Sequence, residues 1–238
     1  MNDKLVNICV IHYNTPELLE ALILSIKKFV PKYHIYIFEN SDKKPFKCNN
    51  TENDNITIFN NSKGDIINFN LWLNNFKNKS RSIGVINGWG SAKHCFCIDK
   101  CFDLIGENFI LLDSDVLLKK DISELFNEKY YSIGEVSHKN SRKSRILPFI
   151  CFINVKKCKE KNIHYFDGKR MLGLASYTCS LYDTGASFLE DIKKNGGNVL
   201  EIRYNDYIEH YGAGSYSNKV NKKHTKEEWL NKNRKLYE

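Results

Sequence analysis

Phe109-Ile110-Leu111-Leu112-Asp113-Ser114-Asp115 is the stretch on which both the fold and the chemistry turn. Its apolar residues form a short run of the kind that becomes a strand buried on both faces of a parallel sheet. It then stops on two aspartates, Asp113 and Asp115. Packing gives no reason for a buried strand to end in two carboxylates, because an isolated charge taken out of water is costly. Each acid needs a partner, and a hard divalent cation bound through oxygen is a natural one. A diphosphate would add further oxygens to such a cation and share it. The plainer alternative is a surface turn with two solvated acids, since Asp-x-Asp alone is a common pattern.

Upstream of this stretch, strand and helix alternate. Leu5 to Ile11 is an apolar run interrupted by Asn7 and Cys9, suited to a buried parallel strand. Thr15 is a candidate N-cap, Pro16 suits the first helical position, and Glu17 favours the positive helix end. Leu18, Leu22, Ile26 and Phe29 mark one helical face, and Pro31 stops the helix. His34 to Phe38 and Asn55 to Asn60 read as strands, Asp65 to Phe76 as a weaker helix, and Ser91 to Ile105 as a helix. The decisive strand itself spans Asn108 to Leu112. Alternation of this kind predicts a mostly parallel sheet flanked by helices, with ligands bound off the carboxyl ends of its strands. Further on, Ile146 to Val155 reads as a strand, Ser187 to Asn195 as a helix ended by Gly196-Gly197, and Gly197 to Ile202 as a strand. A last helix is expected near Lys226 to Arg234. Without a repeat or a clear linker, the chain reads as one α/β domain over residues 1–216 and a basic C-terminal helix or tail over 217–238.

The bulk properties exclude some classes. The chain has 238 residues, of which 42% are hydrophobic, so it can bury a sizeable core and is not a disordered chain. The formal net charge is +8, much of it in Lys139 to Arg145 and Lys219 to Lys235. Such runs are solvated surface or patches for an anion, a nucleic acid or an anionic membrane face. No segment approaches the ~20 apolar residues of a membrane span. Met1-Asn2-Asp3-Lys4 leads directly into the first strand with no apolar leader. The expected location is therefore the cytoplasm, with the inner membrane face as a further possibility. There, free thiols are the default for the eight cysteines. His94, Cys95, Cys97 and Cys101 fall close together, but no second cysteine pair stands at zinc-site spacing, so buried free thiols are expected.

The chain resembles the GT-A fold glycosyltransferases, in particular the family 2-like group. The likeness is carried by Ile8 to Leu19, by Ile37-Phe38-Glu39-Asn40-Ser41-Asp42, by the aspartate turn, and by Tyr182-Asp183-Thr184-Gly185 with Tyr207 to Ser215. These segments spread over roughly residues 5 to 216, and their order and spacing are more specific than any one of them. The resemblance implies a GT-A (Rossmann-like) domain that moves a sugar from a nucleotide-diphosphate-sugar, a UDP-sugar first among them, to a glycan or lipid-linked acceptor. It implies a hexosyl- or N-acetylhexosaminyltransferase of polysaccharide biosynthesis, with a DXD motif and Mn²⁺ or Mg²⁺ as cofactor. His12, Tyr13 and Asn14 would line the nucleoside pocket. Glu39 would contact base or ribose, where the family more often has Asp. Asp113 would face ribose or metal, Asp115 would be the main ligand, and His210 would complete the metal site. Lys93 and His94, near a helix start, would contact the donor. Asp183 would be the catalytic carboxylate that takes the acceptor's proton, with Gly185 allowing close approach; its other reading is a plain Asp-Thr-Gly turn.

Other classes use similar parts. A sugar-nucleotide nucleotidyltransferase also combines a βα sheet with metal carboxylates, but opens with a Gly-rich basic loop, whereas His12-Tyr13-Asn14-Thr15-Pro16 holds neither Gly nor Lys. A basic nucleic-acid-binding module fits the charge but has no recognisable motif, so no nucleic acid is expected as partner. A peripheral contact with an anionic membrane is compatible with the basic tail, with Trp229 either meeting the surface or packing the last helix onto the domain.

Overall fold

In the computed structural model, residues 4–47, 55–71, 89–138, 143–171, 182–212 and 225–238 are described. The alternation of the first half becomes the parallel half of a sheet. β1 (Val6–His12) lies between β2 (Tyr33–Glu39) and β4 (Phe109–Asp113), and β3 (Ile56–Asn60) flanks β2, all of them parallel. The sheet continues through β7 (Arg145–Ile153) and β6 (Ser132–Ser137) to β8 (Val199–Glu201), in the order β3-β2-β1-β4-β7-β6-β8. β7 runs antiparallel to both of its neighbours, and β8 is parallel to β6. The result is the expected α/β architecture: a mostly parallel, mixed sheet with helices on its faces.

The sequence explains why β1 and β4 sit at the centre. Val6, Ile8, Cys9 and Val10 are fully buried, as are Phe109, Ile110, Leu111 and Leu112. Each large apolar side chain contributes about 2 kcal/mol by leaving water, so β4 is firmly fixed up to the residue before Asp113. Alternate residues of β1 face opposite layers. Ile8 and Val10 pack with Leu19, Leu22 and Ile26 of α1 (Pro16–Phe29), while Cys9 packs with Ile98 and Cys101 of α2 (Trp89–Ile105). The chain leaves β1 toward β2 on one side and returns to β4 on the other. This reversal opens a crevice at the carboxyl ends of β1 and β4, where an open α/β sheet binds its ligands.

Several local expectations change. Thr15 stands at the N-cap of α1, but its side chain makes no cap hydrogen bond; it lies 3.4 Å from the Ser114 hydroxyl. Residues 65–68 are not helical; helix starts at residue 69, and residues 72–76 of the expected element lie outside the described residues. The strand expected to Val155 ends at Ile153, because Asn154 caps α3 (Val155–Glu160) by accepting from the Lys157 amide. β5 (Val116–Leu118), β6 and β9 (Ile208–His210) were not expected, and β5 and β9 form a separate two-stranded sheet. The basic runs lie partly outside the described residues, at 139–142 and 219–224.

Among the described residues no helix is long and apolar enough to cross a membrane. Near the C-terminus, α5 (Lys226–Lys232) starts with a capping box between Thr225 and Glu228. Its Trp229 is buried with Leu18 and Ala21 of α1 and Leu117 of β5. That indole faces the body of the protein, which leaves it unable to meet a membrane surface.

Gly185, just before α4 (Ala186–Lys194), has φ of +83° and approaches the core closely. A Cβ there would stand 2.1 Å from the Ile146 carbonyl oxygen. The close approach expected of this glycine is thus to β7 and not to a bound acceptor. Gly185→Ala combines left-handed strain with overpacking and is expected to destabilise the fold by about 3 kcal/mol. Urea denaturation of the two proteins checks this, and unchanged midpoints would contradict it.

Candidate functional site

The aspartate turn joins β4 to β5, and β5 recruits β9. Val116 pairs with His210, Leu117 with Glu209 and Leu118 with Ile208, all antiparallel. The Tyr211 amide donates to the Asp115 carbonyl at 3.0 Å, which extends this ladder by one bond. The short ladder brings a residue almost a hundred positions later beside the turn. His210 Nε2 lies 3.2 Å from Asp115 Oδ1. One ligand atom from each of Asp113, Asp115 and His210 falls within 4.8 Å of the others. Donors around one cation, each at about 2.1–2.5 Å, stand at most roughly 4–5 Å apart, so the three residues fit a single ion. Two carboxylates and an imidazole suit Mn²⁺ well, since carboxylates favour hard ions and imidazole the later transition metals.

The electrostatics of the cluster agree with that fit. Burial, with the charge of Asp115, holds the Asp113 carboxyl above its usual range, against the pull of His94, His210 and Arg145. Burial alone would lower His210; the hydrogen bond and charge of Asp115, with Asp113, raise it instead. A cation among these groups relieves the repulsion between the two acids.

His94 and Arg145 stand around the turn, and Lys93 stands by Tyr13 of the neighbouring loop. His94, in the first turns of α2, has Nε2 at 3.7 Å from Asp113 Oδ1. That nitrogen is buried and has no hydrogen-bond partner among the described residues. Lys93 Nζ stands between the rings of Tyr13 and Phe69, at 5.6 and 5.3 Å from their centroids. Arg145, the first residue of β7, pairs with Asp183 at 2.6 Å. Asp183 Oδ1 also accepts from the Ser91 hydroxyl at 2.7 Å and from the Thr184 amide at 2.8 Å. Arg145 escaped the sequence reading, where it was one of several charges in a basic run. Its one sequence signal was its place directly before the apolar run of β7.

The loop after β1 is organised around a buried pair. His12 and Glu39 are 0% and 1% exposed, and His12 Nδ1 lies 2.7 Å from Glu39 Oε2. The Thr15 amide donates to His12 Nε2 at 3.0 Å, which assigns the imidazole proton to Nδ1. Glu39 also accepts from the amides of Ser41 and Phe46, each at 2.7 Å. Asn14, with φ of +56°, bonds the Ser41 hydroxyl, the Asp42 carboxylate and the amides of Lys43 and Lys44. The polar atoms of His12, Glu39 and Asn14 thus tie two loops together. Tyr13 presents its ring to Lys93. Asp113, Asp115, His210 and His94 gather at one point, with Asp183 joined to them through Arg145.

The six cysteines among the described residues are free and buried. Burial pushes the Cys95 and Cys158 thiols up to about 12 and raises Cys97 and Cys101 as well. These are neutral thiols, unsuited to metal binding.

Burial pushes the Glu39 carboxyl up, but hydrogen bonds from His12, Ser41 and Phe46 outweigh it, so it titrates below its ordinary 4.5. A depressed carboxyl stabilises the fold fully above the unfolded value and loses that contribution as pH falls through the folded one. Glu39→Gln is therefore expected to cost about 2–3 kcal/mol at neutral pH, with the gap to wild type closing below 4.5. Urea denaturation at neutral and acid pH checks this; a gap independent of pH would contradict it.

No protein-family model matches the chain, and no curated protein matches it in sequence. Solved structures with a similar backbone course include three glycosyltransferases. The galactosyltransferase LgtC, in complex with donor and acceptor sugar analogs, is 12% identical with a TM-score of 0.49, over 83% of this chain and 73% of that one. The bifunctional glycosyltransferase WbbM is 13% identical with a TM-score of 0.46, over 84% of this chain and 39% of that one. GlyE of Streptococcus pneumoniae TIGR4 is 14% identical with a TM-score of 0.46, over 86% of this chain and 47% of that one. This chain spans under half the length of the latter two, and the likeness to all three is one of backbone.

Proposed function

We propose that this protein is a metal-dependent glycosyltransferase that takes a hexosyl or N-acetylhexosaminyl group from a nucleoside diphosphate sugar, UDP-sugars first, to a glycan or lipid-linked acceptor. The observation that carries the reading is the meeting of Asp113, Asp115 and His210 at the carboxyl end of the central strands. A lone pair of acids would be an ordinary turn; a histidine delivered beside them by a dedicated two-stranded sheet is not. The expected setting is polysaccharide synthesis.

Each residue then has a physical task. Asp113, Asp115 and His210 would hold Mn²⁺ or Mg²⁺, which would supply positive charge for the leaving diphosphate. Arg145 adds positive charge beside Asp113, and His94 Nε2, buried without a hydrogen-bond partner among the described residues, donates to a phosphate oxygen when it carries a proton. Tyr13 offers a ring face to the nucleobase, with Lys93 beside it. His12, Glu39 and Asn14 set the shape of the loop that carries Tyr13. Asp183 receives the proton of the acceptor hydroxyl as its oxygen attacks the anomeric carbon. Arg145 and Ser91 fix that carboxylate in place.

Thermal denaturation with UDP-, GDP-, CMP- and dTDP-sugars, with and without Mn²⁺, tests the reading. A donor at about 100 times its Kd stabilises by about 2.7 kcal/mol, which raises the Tm by roughly 5–10 °C. The rise is expected to need metal, to vanish in EDTA and to be lost in Asp115→Ala. Sugar transfer in that variant should fall at least roughly 100-fold, since the cation contributes several kcal/mol to the transition state. Donor binding indifferent to EDTA and to the substitution would overturn the metal role. Pyrophosphate release from a nucleoside triphosphate and a sugar phosphate would point instead to nucleotidyl transfer.

A further inference from the structure

We infer that Phe149 is a positioning residue that holds the His210 imidazole in its ligating orientation, an inference that rests on the metal site proposed above. His210 needs outside support. It ends a strand of three residues whose one ladder is to β5, itself of three residues. So short a ladder fixes the backbone of His210 but leaves the rotation of its ring to the Asp115 contact and to packing. The packing is aromatic. The Phe149 ring lies 4.1 Å from the imidazole centroid at 42°, and Tyr204 meets the imidazole edge-on at 6.3 Å and 89°. Phe149 and Tyr204 also touch each other, 5.2 Å apart at 82°. Three rings thus close on one another, with His210 Nε2 facing Asp115.

An irregularity in the sheet brings these rings together. β7 pairs with β6 through Cys151 and Gly134, and again through Ile146 and Val136. Between those pairs only Glu135 on β6 stands opposite Leu147, Pro148, Phe149 and Ile150 on β7. On its other side β7 stays in register with β4 up to Ile150, the residue next to Phe149. β7 therefore bulges where its pairing with β4 stops, and bulges beside active sites re-aim side chains. Glu135, the residue opposite the bulge, accepts from the Tyr204 amide at 3.0 Å. One distortion thus delivers Phe149 and anchors the chain that carries Tyr204. Groups that orient a metal-bound histidine from behind typically change metal affinity 10- to 100-fold; here a ring face supplies the orientation.

The test is Mn²⁺ binding to the full chain, read by electron paramagnetic resonance with pulsed detection of the imidazole nitrogen. Wild type is expected to bind Mn²⁺ and show the nitrogen coupling, which His210→Ala removes. Phe149→Leu keeps apolar volume but loses the ring, and should bind roughly 10-fold more weakly with reduced nitrogen coupling. Phe149→Tyr keeps the ring and should restore both. In the His210→Ala background Phe149→Leu should have no further effect on affinity. If wild type binds with nitrogen coupling and Phe149→Leu binds equally well, the positioning role is overturned while the metal site stands. An equal loss from Phe149→Leu with and without His210 would likewise overturn it, as a general structural effect. If wild type binds no Mn²⁺, the metal site itself falls. Should Phe149→Leu prove unfolded by circular dichroism, Tyr204→Leu removes the second ring and gives the same comparison.

Discussion

The charge of Asp113 and Asp115 is the constraint around which the rest of the molecule is arranged. Ile110, Leu111 and Leu112 are fully buried, so the chain cannot swing its next acids out to water without pulling β4 from the core. Opposite charge has to come to them. It comes from distant places: His94 from α2, Arg145 from β7 and His210 from β9. Each of these elements has a separate structural reason to exist, yet each ends by pointing a cationic or ligating group at the same turn. Pairing of this kind is what permits several charges in a largely buried site.

The two loops beside the turn follow a different logic. His12 and Glu39 pair with each other and Glu39 accepts from the Ser41 and Phe46 amides, while Asn14 bonds the Ser41 hydroxyl and the Lys43 and Lys44 amides, so the two loops are tied together. A satisfied network of this kind rigidifies the loop that carries Tyr13. The two halves of the site thus divide their work. One is held by neutral and charge-assisted hydrogen bonds, and the other gathers two acids and a histidine that fit a single cation.

Legibility in the sequence follows the same division. The parallel strands and α1 could be read because long apolar runs and helical spacing are local signals. Asp113 and Asp115 stood out because two acids follow an uninterrupted apolar strand. His210 came only through a resemblance, since nothing local marks a histidine on a three-residue strand as a partner of a turn so far upstream. Arg145 was hidden among neighbouring lysines and arginines, and its meaning depends on β7 running antiparallel to β4. Glu39 was read as a base or ribose contact only through the resemblance. Its carboxylate oxygens were already engaged by His12, Ser41 and Phe46, which only three dimensions reveal. Strand β6 carries no apolar run and contains the position opposite the bulge, so its periodicity was erased by the feature that shapes the site.

The two sides of the Asp113, Asp115 and His210 cluster also differ in firmness. Asp113 and Asp115 follow a strand buried on both faces, whereas His210 rests on a ladder of three residue pairs. A site with one fixed side and one lightly held side depends on whatever braces the lighter side. Phe149 and Tyr204 brace the imidazole itself. From the other direction Trp229 meets Tyr211, the residue after His210, in a tilted ring contact at 5.4 Å, and packs on Leu117 of β5 and on Leu18 and Ala21 of α1. The helix that reads in sequence as part of a basic tail therefore clamps the β5–β9 pair against the body of the protein. Its contribution to the site lies in that contact and not in its charge.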